Sequence, residues 1–523
     1  MDSWRLVTRT GDYPRWVLAI ANLLRDTFAG YGEIIGVPVR DPAPFFPLGV
    51  AGLFDTARNA GAGSLRRAGF AVDGKGGVRD AKGIGVCVAL ADARHLRQDN
   101  LIELRADGAP ACDLAVAVER ALRRGLGSVE LEAICRRGNG SPRKLVWRCA
   151  LKDHSIARSM DAAAARLLDL VGYVIRQPDQ ASDFPQSTLL SVPEVSAAFA
   201  AGASTLSRAF RHMVHRVTAN DQWSFRVYQN LDPHQLWPSD EKHGIDFVPP
   251  IDKIWADPFV AREDQLLWVF FEEDSVVSPK GRIVCVSIDE TGRCSEPEVV
   301  LEESCHLSYP QIFKCDDAWY MLPESGGRGN VVLYQAKNFP YEWEPVAELL
   351  TQVRLADATL HRNDAGWWLT ASGPGQLYAE SVDDSPYDLR PFDTLHLYHS
   401  SSLNKNWRPV TMNPLRVDAA SSRPAGPWFQ WQGQWIRPVQ DCRGRYGRAV
   451  HLLAVESISM QGLKERLVAT LSGGGETNCV HTYSRVGRDL AVDWNAWRFK
   501  SDLLNSRKNP PLFEFERYDS LQD

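Results

Sequence analysis

A two-strand unit that recurs through the second half of the chain constrains the fold most. Trp255-Ala256-Asp257-Pro258-Phe259-Val260 is followed, after a polar turn, by Leu266-Leu267-Trp268-Val269-Phe270-Phe271. The shape returns at Tyr309 to Phe313 with Ala318 to Glu324, and at Asp357 to His361 with Gly366 to Thr370. Two further copies are Arg423 to Phe429 with Gly433 to Pro438, and His481 to Ser484 with Asp489 to Trp494. Each strand is short and rich in aromatic and β-branched residues, with Asp, Asn or Gly between strands. The copies recur about every 50 to 65 residues, as propeller blades do. A lone four-stranded sheet cannot bury both faces, whereas several packed around an axis can, leaving only short edges. The sequence therefore predicts an all-β five-bladed propeller over residues 223–523. The polar residue that heads each unit falls on the innermost strand, so these residues are expected to converge.

The 523 residues allow more than one domain, and 44% apolar with 24% charged residues is an ordinary soluble composition. A net charge of -6 gives no case for nucleic acid as a partner. The start, Met1 to Val7, has no apolar run of signal-peptide length, and no stretch is long enough for a membrane span. Ten Cys without CxxC or zinc-like spacing, several inside apolar strands such as Cys87 and Cys285, read as buried reduced thiols. These features lead to an expectation of a cytoplasmic protein. Most of the 17 Trp are expected to fill blade cores.

Residues 1–180 read as an α/β domain. Strands are expected at Arg5 to Thr8, Glu33 to Val37, Gly83 to Leu90 and Asn100 to Leu104, a hairpin over Ser128 to Leu151, and helices at Pro14 to Arg25 and Ile156 to Arg176. Gly74-Lys75-Gly76-Gly77 does not follow a strand and open a helix, so it is not read as a phosphate loop. Residues 181–222 read as a linker with one helix near Val195 to Val217. His212 and His215 on that helix lack further ligands and read as part of a solvated basic face with Arg208, Arg211 and Arg216.

The propeller half resembles the N-terminal domain of plant glucosamine inositolphosphorylceramide transferases, and bacterial relatives in which such a propeller follows a formyltransferase-like domain. The residues that carry the resemblance lie between about 245 and 500. They are Trp255 to Phe259, Phe270-Phe271-Glu272, His306 to Pro310, Leu322 to Ser325, Ala356 to Leu360, Arg423 to Gly426, Arg437 to Cys442 with Tyr446-Gly447, and His481 to Tyr483. The family in turn is similar in fold to the five-bladed invertases and arabinanases, where an Asp heading the first blade and two further carboxylates work on a glycosidic bond. The N-terminal domain resembles formyltransferase-like domains only loosely. It has no Asn…His…Asp constellation placed for formyl transfer, so it is expected to be degenerate.

Glycosidic chemistry needs a proton donor and a carboxylate acting as base or nucleophile. Asp257 is the candidate carboxylate and Glu324 the candidate acid, with Asp357 orienting hydroxyls or tuning Glu324. Arg423 and Arg437 are candidates for holding an anionic group bidentately. His306, Tyr309, Gln440, Asp441 and His481 complete the expected substrate-binding rim. Capping of strand starts for the acids, and interblade ion pairing for the arginines, are the structural alternatives. Glu272 and Glu273 read as structural. No cofactor and no metal are expected. The function implied is action on a glycan or sugar-lipid headgroup, hydrolase-like or by transfer. The alternative is a non-catalytic propeller that binds a glycan or nucleotide-sugar for a separate glycosyltransferase.

Overall fold

The computed structural model describes residues 4–9, 11–28, 32–37, 68–72, 86–91, 100–137, 141–152, 155–176, 219–275, 280–325, 328–373, 393–410, 413–474, 479–499 and 513–518. The expected 195–217 helix with His212 and His215, and the Gly74 to Gly77 run, lie outside the described residues.

Between residues 219 and 517 the chain forms five antiparallel sheets. Blade one runs Lys253–Glu263, Leu266–Ser275, Arg282–Ile288, Glu298–Leu301 from the inside outward. Blade two is Ser308–Cys315, Ala318–Glu324, Asn330–Asn338, Glu342–Thr351. Blade three opens with Ala356–Asn363, Gly366–Ser372 and Thr394–Ser400. Blade four has Phe429–Trp431, Gln434–Asp441, Ala449–Ser459 and Gly462–Gly473, with Phe513–Arg517 added at its outer edge. Blade five is composite. Tyr483–Val486 and Asp489–Phe499 supply its inner strands, and Ala219–Tyr228 and Ile245–Phe247, from the other end of the propeller sequence, its outer ones. The last residues of the expected linker, from Ala219, are thus strand.

The hairpin chemistry explains why the units form. Asp316 and Asp317 both take positive φ (48° and 62°), as do Gln432 and Gly433 (49° and 77°). Two successive left-handed residues match the twist of paired strands. Burial then joins the blades. Phe259, Phe270, Tyr309 and Met321 form one core between blades one and two; Leu333, Leu360 and Leu369 belong to the next. Trp368 with Leu395 and Leu415 packs against Leu463 of blade four, Phe429 and Trp431 against Trp494 of blade five, and Phe225 and Phe247 against Phe271 of blade one. The last of these closes the ring. Trp255, Trp268, Trp368, Trp428 and Trp494 are all buried, as expected of blade-filling residues.

The described N-terminal residues form a mixed sheet in the order Gly32–Val37, Trp4–Arg9, Val86–Ala89, Asn100–Ala106, Ser128–Arg137, Arg143–Ala150. The first four strands pair in parallel, and the last two pair antiparallel, each with the strand before it. Helices Arg15–Thr27, Leu114–Arg123 and Ile156–Arg176 bury Trp16, Ile20, Leu24, Val118, Leu167 and Val171 in the core shared with Leu104, Leu131 and Trp147. The 114–123 helix is a feature the sequence reading missed. Val417 of the propeller enters this same core, so the two parts are packed together.

Candidate functional site

The site is built on one backbone device used three times. The inner strands of blades one, two and three each bulge, at Ala256/Phe259, Ser308/Gln311 and Ala356/Thr359. Within each bulge one residue is left-handed: Asp257 (φ 52°), Tyr309 (φ 46°) and Asp357 (φ 53°). A bulge re-aims a side chain that strict alternation would bury between blades. Asp tolerates this conformation; a bulky Tyr rarely does. Opposite the residue preceding each bulge stand Glu272, Glu324 and Ser372. Two blades therefore contribute an acid from the second strand and two an acid from the bulge.

Around Asp357 the contacts are dense. Its carboxylate accepts from Arg423 Nε at 2.5 Å and from Gln440 Nε2 at 2.8 Å, while its backbone N–H donates to Glu324 Oε2 at 2.9 Å. Burial, then the Asp357 charge, pushes the Glu324 carboxyl up to about 8, against the pull of Arg423. Arg423 also lies under the Tyr446 ring, its guanidinium carbon 4.9 Å from the ring centre.

Asp257 belongs to a second, linked group. Its Oδ1 accepts from Thr482 Oγ1 at 2.8 Å and lies 3.4 Å from His481 Nε2; its backbone N–H donates to Asp493 at 3.2 Å. Asp493 Oδ2 contacts His481 Nδ1 at 2.5 Å, and Oδ1 accepts from the N–H groups of His481 and Thr482. Burial raises Asp257 to about 7, with Glu272 and Asp357 adding to the rise and His481 opposing it. Burial disfavours the His481 cation, yet Asp493 and Asp257 together hold its imidazole up at about 9. The ring also packs against Trp223, with centroids 4.0 Å apart and the planes tilted by 33°. His306 sits at the edge: its Nε2 is 3.1 Å from Glu272 Oε1, and that contact raises it to about 9 despite partial burial.

Other expected site residues are placed differently. Arg437 is fully buried and binds Glu465 through two nitrogens at 2.6 and 2.9 Å, with Arg416 on the same carboxylate. Its charge is spent inside blade four, and it presents nothing to a ligand. Asp441 is likewise fully buried, paired with Arg443 at 2.9 Å and held well below the usual carboxylate range by Arg443 and His451, against its burial. The Tyr309 hydroxyl meets Thr359 at 3.0 Å and accepts from Gly426 N–H at 2.6 Å, so this side chain ties blade two to blades three and four rather than facing solvent. Gln440 is buried behind Asp357. Asp493, Thr482, Glu272, Trp223 and Tyr446 are members of the site that the sequence reading did not select. Among the described residues, two groups bring three ligand atoms within 4.8 Å of one another: Asp257, His481 and Asp493, and Glu272, Asp274 and His306. In the first, both imidazole nitrogens already face carboxylates, so the protonated ring supplies the positive charge there.

With the geometry in place, comparison with known proteins adds the following. Residues 248–476 match the family described as "Glucosamine inositolphosphorylceramide transferase 1, N-terminal". Glucosamine inositolphosphorylceramide transferase 1 of Oryza sativa subsp. japonica is 33% identical over 213 residues, 40% of this chain and 27% of that protein. The Arabidopsis thaliana protein of that name is 30% identical over 213 residues, again 40% of this chain and 26% of that one. The chain thus spans about a quarter of these relatives. A β-xylosidase/α-arabinofuranosidase from a compost microbial metagenome is similar at 13% identity over 50% of this chain and 90% of that one, with a TM-score of 0.33. The Cellvibrio cellulosa α-L-arabinanase is similar at 11% identity over 41% and 76%, with a TM-score of 0.30. The five-blade architecture itself is read from the strand order above. The expectation of a cytoplasmic protein is corrected here: the relatives it matches are named glucosamine inositolphosphorylceramide transferases, rather than cytoplasmic proteins. No helix among the described residues is long and apolar enough to cross a membrane. Residues 248–476, blades one to four of the ring, are thus similar to the N-terminal part of the glucosamine inositolphosphorylceramide transferases.

Proposed function

We propose that the inner face of the propeller is a carbohydrate site that acts on a glycan or a sugar-lipid headgroup, by glycosyl transfer or glycosidic cleavage. The observation that supports this best is the Glu324–Asp357–Arg423 cluster beside Asp257. Glu324 carries a proton at neutral pH and is half-buried, as a general acid must be. Asp357 raises the acid and is itself fixed by Arg423 and Gln440. Asp257, steadied by Thr482 and His481, is the carboxylate that would act as base or nucleophile. Arg423 suits a phosphate or uronate next to the sugar. The N-terminal domain, residues 1–180, we take as a degenerate formyltransferase-like unit on its sequence resemblance; binding of a formyl-folate to the purified protein would overturn that.

A second reading is favoured by the quarter-length match to the relatives. In it the propeller binds a glycan or nucleotide-sugar and presents it to a separate glycosyltransferase, without chemistry of its own. Thermal shift of the native protein and of Asp257→Asn, against sugars, sugar phosphates and nucleotide-sugars, tests both. A stabilising ligand lost in Asp257→Asn places the site on the inner strands. Turnover of that ligand, abolished in Glu324→Gln, selects catalysis; binding without turnover selects presentation. A ligand indifferent to Asp257→Asn refutes the site.

A further inference from the structure

The propeller segment that carries Tyr446 is held from outside the propeller. Gly444 N–H donates to Gly127 O at 2.8 Å, and Lys152 forms an isolated parallel bridge with Gly444. Arg148 forms a second such bridge, with Asp418; Ala419 N–H donates to Arg148 O at 2.9 Å, and Arg148 Nη1 reaches Asp418 Oδ1 at 3.1 Å. Ala419 O in turn accepts from Cys442 N–H at 2.8 Å. A third tie is buried: Asp393 accepts from Arg166 Nε at 2.9 Å and from Ala150 N–H at 3.2 Å. All of these except the Cys442–Ala419 bond join the N-terminal residues to the propeller. At the far end of the same loop, Gly447 O accepts from Val480 N–H at 2.8 Å, and a Cβ at Gly447 would stand 2.9 Å from the His481 Cβ. Between these two anchors lies Tyr446, over Arg423 and with its ring centre 5.1 Å from that of His481.

We infer that the N-terminal domain is a positioning part of the propeller site: Gly127 and the chain from Arg148 to Lys152 hold the 442–447 loop, which sets Tyr446 against Arg423 and His481. The contact admits no slack. A methyl at Gly127 would meet Gly444 N at 2.5 Å and Arg443 C at 2.6 Å, at a φ of +66°. Gly127 is a positioning residue, acting through Tyr446. This rests on the reading of the inner face as a sugar site, but its first test does not.

That test is hydrogen exchange, read by mass spectrometry, on full-length ligand-free protein. Gly127→Ala is compared with Gly108→Ala, which has a φ of +74° in the same domain and nothing within 4 Å of its added methyl. The expected result is faster exchange at Gly444, Arg448 and Val480 in Gly127→Ala alone. Unchanged exchange there in folded Gly127→Ala overturns the inference. The second readout is affinity for the sugar or sugar phosphate found by thermal shift. Gly127→Ala is expected to weaken it about tenfold, as small misplacements do, with no further loss in a Tyr446→Ala background. Additive losses overturn the coupling through Tyr446. Should Gly127→Ala not fold, Arg148→Gln breaks the Asp418 ion pair without touching glycine geometry and is expected to act in the same direction. Altered exchange with no sugar bound refutes the site reading and leaves the domain coupling standing.

Discussion

Glu324 and His481 both hold protons at neutral pH because of the surroundings that folding gives them: burial and then Asp357 for Glu324, Asp493 and Asp257 against burial for His481. Each binds its proton more tightly in the folded state than in the unfolded one. For Glu324 the stability this gives is full below its ordinary 4.5 and is lost as pH rises toward 8. For His481 it is full below 6.5 and is lost as pH rises through 9. The midpoint of thermal unfolding should therefore fall between pH 6.5 and 9, by about 2–4 °C for each kcal/mol lost. Glu324→Gln should flatten the part below pH 8 and leave the His481 part. A midpoint that is level from pH 6.5 to 9 would contradict both assignments. If the site turns over a glycoside, kcat/KM should rise near pH 7 as Asp257 ionises and fall near pH 8 as Glu324 does. Glu324→Gln should then cost about a hundred- to ten-thousand-fold in rate.

The element that matters most is the bulged inner strand. In blades one and three it delivers an Asp; in blade two it delivers Tyr309, whose hydroxyl bonds to Thr359 and Gly426 offset the strain of a left-handed Tyr. Tyr309→Phe leaves the Gly426 N–H without that acceptor and should cost about 1–3 kcal/mol of stability, measured by urea denaturation, with ligand affinity unchanged. Loss of affinity at equal stability would return Tyr309 to the binding rim. Alternation and turn residues made the blades legible: four of the five two-strand units read from the sequence are innermost hairpins, and in the fourth unit the first strand is Phe429–Trp431 rather than Arg423 to Phe429. The heads of those units were legible too, because Asp before Pro or Ala at a strand start breaks the apolar pattern. Arg437 and Asp441 misled, since a sequence shows a charge but not the Glu465 or Arg443 that neutralises it. Asp493 was hidden for the opposite reason. It lies within an apolar strand, Asp489–Phe499, and its value comes from His481 and Thr482, just before the neighbouring strand. The composite fifth blade was also illegible, because pairing between Ala219–Tyr228 and Asp489–Phe499 has no local signature.

At the scale of the molecule, the family match covers residues 248–476, yet the ring needs both halves of blade five, which lie outside that span. A 248–476 fragment would leave the inner strands of blades one and four without a neighbour. It should lack a cooperative unfolding transition by calorimetry, whereas a 215–523 fragment should keep one. Cooperative melting of the shorter piece would show that closure is dispensable. The same arrangement governs how the protein is made. Ala219–Tyr228 is synthesised about 260 residues before its partner Asp489–Phe499. At about 5–20 residues per second, that leaves a ten-residue strand edge unpaired for roughly 13 to 52 s on every nascent chain. During that interval Ile245–Phe247 can pair only with the opposite edge, so slowed translation within blades two to four should raise aggregation even though no residue of the finished ring has changed.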